Sequence, residues 1–205
     1  MNTLVVCKPR LPANFNAQKS ILESQLQVGA DTTVMYLPVF DLVPDESAIQ
    51  ALRDWISSSS GQKPRLVVFV SPSSLEIAIQ HLGPWPPGLY CGLMGRQSAR
   101  LAIALGIPKD QILAPSGESD EETEDSQGLL SLIGKHFPQV QCEVAVCKGP
   151  RGRIDFPAKL SELGHLVSII ECYDRREISQ SIEDCNRLVN LRDQAVLWIT
   201  SSETA

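Results

Sequence analysis

LVVFVSPSSLEIAIQHL, running from Leu66 to Leu82, is the stretch whose reading decides the fold. Its first half, Leu66 to Val70, is an unbroken apolar run rich in β-branched residues, the pattern of a strand buried on both faces. Leu75, Ala78, Ile79 and Leu82 then follow the i, i+3, i+4, i+7 spacing of a helix. Ser71-Pro72-Ser73-Ser74 joins the halves. Serine is a preferred N-cap because its hydroxyl accepts from the helix's unpaired first amides. Such a junction brings free N–H groups and the positive end of a helix dipole to a strand's carboxyl end, where open α/β sheets take up anionic groups. The plainer alternative is an ordinary capped helix start. The pattern returns near the C-terminus as AVLWITSSETA, Ala195 to Ala205, where an apolar strand runs into Thr200-Ser201-Ser202. Two copies of one unit imply two similar domains, each with a hydroxyl-rich turn. The second copy stops where its helix is due to begin, so the second domain is expected to be incomplete.

Working outward, strands and helices alternate almost throughout, which predicts mainly parallel sheets. Thr3 to Cys7 reads as a first strand. A helix with Ile21, Leu22 and Leu26 ends at Gly29, and Thr32 to Leu37 is a second strand. Leu37 to Pro44 is apolar, extended and carries two prolines, which fits a linker strand leaving one domain for another. Helices follow at Glu46 to Ser57, around Leu101 and Leu105, at Ser126 to His136 and at Phe156 to Leu163. Strands are expected at Leu89 to Met94, Gln111 to Ala114, Glu143 to Cys147, Leu166 to Cys172 and Ala195 to Thr200. A last helix face carries Ile182, Cys185 and Val189. The basic, glycine-containing loop Lys148-Gly149-Pro150-Arg151-Gly152-Arg153 follows a strand, so it either holds anions or is a solvated turn.

Composition narrows the function classes. The chain has 205 residues, 43% apolar and 20% charged, with a formal net charge of -6. That describes a soluble globular protein, and the acidic balance argues against a nucleic-acid binder. No apolar run reaches membrane-spanning length and no signal peptide is visible, so a cytoplasmic location is expected. The six cysteines form no C-x-x-C pair and read as buried free thiols. The three histidines are scattered near helix ends. The acid block ESDEETED, Glu118 to Asp125, reads as a solvated loop whose last carboxylates favour the next helix's N-terminus. It lacks an EF-hand glycine pattern, and no metal site is expected. G-x-G-x-x-G, P-loop and G-x-S-x-G motifs are all missing.

Several segments together resemble the uroporphyrinogen-III synthase family. VFVSPSSLEIA is similar to that family's Phe-Thr-Ser-Pro segment, with Val70 where threonine is usual. GLMGRQSARLAIALGI resembles its Gly-x-x-Thr-Ala helix opening, with Ser98 in the hydroxyl position. DSQGLL resembles its acid-Ser-x-x-Leu-Leu helix start. CKGPRGR, then LSELGHLVSIIECYDR, resemble its Gly-Arg loop and its Val-x-x-x-x-x-Tyr-x-Arg strand, with Tyr173 at the tyrosine position.

The resemblance implies an α/β fold of two flavodoxin-like parallel-sheet domains joined by two extended crossings. One domain would be residues 39–172, and the other residues 1–38 plus 173–205. It implies a lyase that cyclises hydroxymethylbilane to uroporphyrinogen III, with inversion of ring D and loss of water, in tetrapyrrole (heme, siroheme, cobalamin) biosynthesis. No cofactor, nucleic-acid or membrane partner is implied, and the protein would be a monomer. The eight-carboxylate substrate suits helix N-termini, hydroxyls and basic loops. The expected binding residues are therefore Ser71, Ser73, Ser98, Lys148, Arg151, Arg153, Thr200 and Ser201. Tyr173 is the expected catalytic residue, lining the cleft between the domains and assisting departure of the substrate hydroxyl. The alternative is a non-catalytic two-lobed anion-binding protein, or an inactive fragment, on the same scaffold.

Overall fold

The computed structural model describes residues 2–10, 32–58, 63–117, 123–150, 155–191 and 195–199. The chain divides into two compact units, Met1–Val43 with Arg175–Ala205, and Pro44–Asp174. Both sheets contain parallel pairs, as the strand–helix alternation predicts.

The first strand is β1 (Asn2–Arg10) and the second β2 (Thr32–Pro44). The sequence suggested a strand followed by a separate linker, but β2 is one continuous strand that passes through Pro38. Its pairing with β1 shifts register between Lys8 and Arg10, next to the Lys8–Pro38 pair, where proline offers no ladder N–H.

The larger unit continues with α1 (Glu46–Ser57), β3 (Arg65–Phe69), α2 (Pro72–Leu82), β4 (Leu89–Leu93) and α3 (Arg96–Ala104). After a 3-10 turn come β5 (Ile112–Leu113), α4 (Ser126–His136), β6 (Glu143–Lys148), α5 (Asp155–Glu162) and β7 (Leu166–Glu171). The sheet order is β5-β4-β3-β6-β7, with every adjacent pair parallel. Counted within the unit this is 3-2-1-4-5, a doubly wound order whose direction of winding reverses between β3 and β6. This order places β3 at the centre of the sheet.

Central placement explains the unbroken apolar run: Leu66, Val67, Val68 and Phe69 have no exposed surface. Leu66, Val68, Val144 and Val146 pack with Leu129 and Ile133 of α4 and Phe156 and Leu160 of α5 on one face. Gly92 of β4 makes this packing possible, because a Cβ there would sit 2.9 Å from Val68 Cγ2 and 3.6 Å from Leu129 Cδ2. The alternate positions of β3, Val67 and Phe69, face the other way, where α1, α2 and α3 pack in succession.

The smaller unit adds β8 (Tyr173–Glu177), which begins in the larger unit, then α6 (Ile182–Leu191) and β9 (Ala195–Ile199). Its sheet order is β8-β2-β1-β9, and β1 lies parallel to both β2 and β9. Val5, Cys7, Met35 and Leu37 form its core, with Leu188, Leu191 and Ala195 packed against them. The face of α6 expected from Ile182, Cys185 and Val189 is not the one that packs: Ile182 is 82% and Val189 75% exposed, and Leu188 and Leu191 point inward instead. The two connections between units, β2 and β8, are both extended. The helix expected before Gly29 lies outside the described residues.

Candidate functional site

In a doubly wound sheet the crevice outside the strand carboxyl ends, at the point where winding reverses, is where ligands bind. Here that point lies between β3 and β6. The ladder continues one residue beyond β3, with the Val70 amide donating to the Cys147 carbonyl at 3.2 Å. Ser71, the next residue, is the N-cap of α2. Its hydroxyl accepts from the Ser74 amide at 3.1 Å, and its own amide donates to Ser74 Oγ at 3.2 Å, a reciprocal capping box. The Leu75 amide goes to the Ser71 carbonyl, and Pro72 at the first helical position has no N–H. Of the first-turn donors, the Ser73 amide and hydroxyl are left without a partner among the described residues. They stand at the positive end of an 11-residue helix.

β6 supplies the other wall. Lys148, its last residue, is buried, and its Nζ lies 3.3 Å from Glu171 Oε1. The Cys172 amide donates to the Lys148 carbonyl at 3.0 Å, and the Cys172 carbonyl accepts from the Asp45 amide at 3.1 Å. The chain is thus pinned on both sides of the Cys172 peptide just before Tyr173. Tyr173 itself is buried, and its ring lies against Gly149: a Cβ on that glycine would sit 2.6 Å from both the phenol Cζ and the hydroxyl oxygen. Burial pushes the Cys172 thiol up to about 12, so it stays protonated and is no nucleophile at neutral pH.

On the other side of β3, α3 opens at the carboxyl end of β4. Its N-cap is Gly95, which has no side chain to offer. The carboxylate of Glu124 takes that role from a distant loop. It accepts from the Arg96 amide at 3.0 Å and from Arg96 Nε at 2.7 Å. These bonds, the Arg96 side chain first, hold the Glu124 carboxyl below the usual carboxylate range. Ser98 occupies the third position of the same helix and is buried.

Of the residues the sequence singled out, Ser71, Ser73, Ser98, Lys148 and Tyr173 lie at the carboxyl side of one five-stranded sheet, at the ends of β4, β3, β6 and β7. Arg151, Arg153, Thr200 and Ser201 lie outside the described residues. Ser71 spends its hydroxyl on the cap and Lys148 pairs with Glu171, so these two act first on the site's own geometry. Sequence reasoning missed Glu171, read Gly149 only as part of a basic loop, and counted Glu124 among the acids facing the next helix, whereas it bonds Arg96 of α3. The signal for Glu124 was negative: GRQS starts a helix without Ser, Thr, Asp or Asn at the N-cap, which calls for an acceptor from elsewhere.

The histidines are engaged structurally. His81 Nδ1 lies 2.8 Å from the Ile77 carbonyl, the Cys142 amide donates to His165 Nδ1 at 3.1 Å, and the His136 ring stacks edge-on with Tyr90 and Phe137. A cavity of about 300 Å³ lined by Phe137, Gln141, Leu163 and His165 lies at the opposite, amino edge of the sheet, away from these groups. Among the described residues no group of three or more His, Cys, Asp or Glu is placed to hold a metal, and no helix is long and apolar enough to cross a membrane.

Strand order and parallel pairing define a doubly wound α/β protein, with the N-terminus of α2, Lys148 and Tyr173 at the carboxyl ends of its strands. Residues 25–205 match the family described as Uroporphyrinogen-III synthase HemD. The chain belongs to that family. A mutant uroporphyrinogen III synthase from Thermus thermophilus shares the fold at 16% identity, with a TM-score of 0.53 over all of this chain and 74% of that one. The wild-type Thermus thermophilus structure gives 17% identity and a TM-score of 0.48 over the same shares. The uroporphyrinogen-III synthetase of Helicobacter pylori gives 9% and 0.47, over all of this chain and 86% of that one. No curated protein sequence matches the chain significantly.

Proposed function

We propose that this chain cyclises hydroxymethylbilane to uroporphyrinogen III, inverting the last ring and releasing water. The observation that carries the reading, beside family membership, is the buried Tyr173 phenol held against Gly149, just past the carboxyl end of β6. In the reaction the terminal hydroxyl leaves as water, a reactive azafulvene forms, and the last ring is attacked at its substituted carbon. Tyr173 donates a hydrogen bond or proton to the departing oxygen. A phenol, with an ordinary pKa near 10, is a weak acid, so this contribution is modest and the fold does much of the work by holding the substrate in a reactive conformation. Ser73 and the α2 terminus meet substrate carboxylates. Ser98, Arg151, Arg153, Thr200 and Ser201 are proposed to meet others. A non-catalytic anion-binding role on the same scaffold is not favoured. The reading extends to a cytoplasmic monomer that needs no cofactor.

The test is product analysis. Incubation of the chain with hydroxymethylbilane is expected to give the type III isomer, whereas the type I isomer alone, the product of spontaneous closure, would refute the proposal. Tyr173→Phe keeps the ring and removes the hydroxyl. It is expected to lower turnover by about tenfold to a thousandfold with little change in Tm.

A further inference from the structure

We infer that Gly149 is a positioning residue for Tyr173: its lack of a side chain is what seats the phenol at the reacting point. The inference rests on the catalytic role proposed for Tyr173 and adds to it the group that fixes where the hydroxyl stands.

Three observations carry it. First, the backbone leading into Tyr173 is already fixed, because the Cys172 amide and carbonyl are both bonded, to the Lys148 carbonyl and the Asp45 amide. What remains to be set is the direction of the side chain. Second, the direction the side chain takes carries its polar end into the space above Gly149. A Cβ there would stand 2.6 Å from Cζ, 2.6 Å from the hydroxyl oxygen and 2.7 Å from Cε2, well inside van der Waals contact. The ring is seated by its polar end, so an added methyl group pushes on the hydroxyl itself and not on the ring's root. Third, Gly149 is not glycine for conformational reasons: among the described residues the glycines with positive φ are Gly83, Gly88, Gly106, Gly117 and Gly164. Alanine is therefore acceptable to the backbone at 149, and the close approach of Tyr173 is what excludes it.

A Cβ at 149 makes the phenol retreat by about 1 Å, and misplacement on that scale costs up to about a hundredfold in a step governed by positioning. The chemistry is unchanged: the O–H still exists, but no longer lies within hydrogen-bond reach of the departing oxygen.

The experiment is a double-mutant cycle in the full chain with hydroxymethylbilane as substrate. Gly149→Ala is expected to lower kcat about tenfold to a hundredfold with KM nearly unchanged. In the Tyr173→Phe background the same change is expected to alter kcat less than about twofold, because the hydroxyl it displaces is already gone. A structural role alone would lower kcat by the same factor in both backgrounds, and that result overturns the inference. If Tyr173→Phe turns over like the parent, the catalytic reading of Tyr173 has failed. If Tyr173→Phe is slow and Gly149→Ala is not, the positioning inference alone has failed.

A second readout follows the ring directly. In chain labelled with 3-fluorotyrosine, the ¹⁹F signal lost in Tyr173→Phe is expected to shift in Gly149→Ala, while those of Tyr36 and Tyr90 stay put. An unmoved Tyr173 signal overturns the inference whether or not the chain turns over. Should Gly149→Ala not fold, Gly149→Ala with Tyr173→Ala is expected to fold, because the obstructing ring is absent. If that pair fails while Tyr173→Ala alone folds, position 149 serves something other than Tyr173 and the inference is wrong.

Discussion

Glu124 shows how much one carboxylate can organise. It caps a helix that has no cap of its own, and it fills the space that Gly95 and Gly117 leave open, since a Cβ on either would press against it. Its carboxyl is held low by Arg96, so the sign of its pH effect is fixed. The stability it adds is present above the pKa of an unfolded glutamate and disappears as the pH falls through the lower folded value. The Tm of Glu124→Gln is therefore expected to lie below that of the parent at pH 7. The gap should begin to narrow as the pH falls below about 4.3, the ordinary glutamate value, and close only once the pH has passed below the lower folded value. Thermal scans from pH 7 to pH 3 measure this, and a gap that persists unchanged at pH 3 would show that charge is not what Glu124 contributes. Asp125, the neighbouring residue, behaves as the sequence suggested, capping α4 through the Gln127 and Gly128 amides. The difference is one of range. Asp125 bonds two and three residues away, within the reach of a local pattern, whereas Glu124 bonds 28 residues back, where only the fold brings the partners together.

At the scale of elements, α2 depends on its capping box. Ser71→Ala removes the hydroxyl acceptor of the Ser74 amide and is expected to cost about 1 kcal/mol, within a usual range of roughly 0.5–2 kcal/mol. For a chain of this size that is a fall in Tm of roughly 2–4 °C, measurable by calorimetry. An unchanged Tm would mean that water replaces the cap without loss. Elements like this were legible because their signals are short-range: β3 as a buried apolar run, α2 as a 3.6-residue period, and the junction as a serine cap. Two kinds of element were not legible. The division of the second crossing into β7, the single residue Cys172 and β8 depends on which sheet each part joins, and no residue in SIIECYDR marks the change. The inward face of α6 was misjudged because Ile182, Cys185 and Val189 and the pair Leu188 and Leu191 are both apolar at helical spacing, and only the smaller unit's core selects between them. The candidate site divides in the same way. Its hydroxyls and lysine announce themselves by type and place after strands, while Gly149 gains its meaning only from a ring 24 residues further along the chain.

At the scale of the whole molecule, the two units differ in how the chain supplies them. Pro44–Asp174 is one continuous segment whose sheet strands all come from within it. The other unit draws β2 and β1 from one end of the sequence and β9 from the other, and β1 is paired on both sides only when Thr3 to Cys7 meets Ala195 to Ile199. That pairing gives the molecule a schedule during translation. At cellular synthesis rates roughly 10–40 s separate the appearance of β1 from that of β9. Throughout that interval the first strand waits with an open edge, while the continuous segment can already condense. Chains arrested just far enough beyond residue 174 for that segment to clear the exit tunnel, with β9 still inside it, are accordingly expected to yield a protease-resistant core spanning about residues 44–174, with the N-terminal forty residues cleaved. Arrest far enough beyond residue 199 for β9 to clear the exit tunnel should protect both. Equal protection of the N-terminus at both lengths would mean that β1 finds its place without its last partner. A cell making this protein must keep β1 out of trouble until β9 arrives.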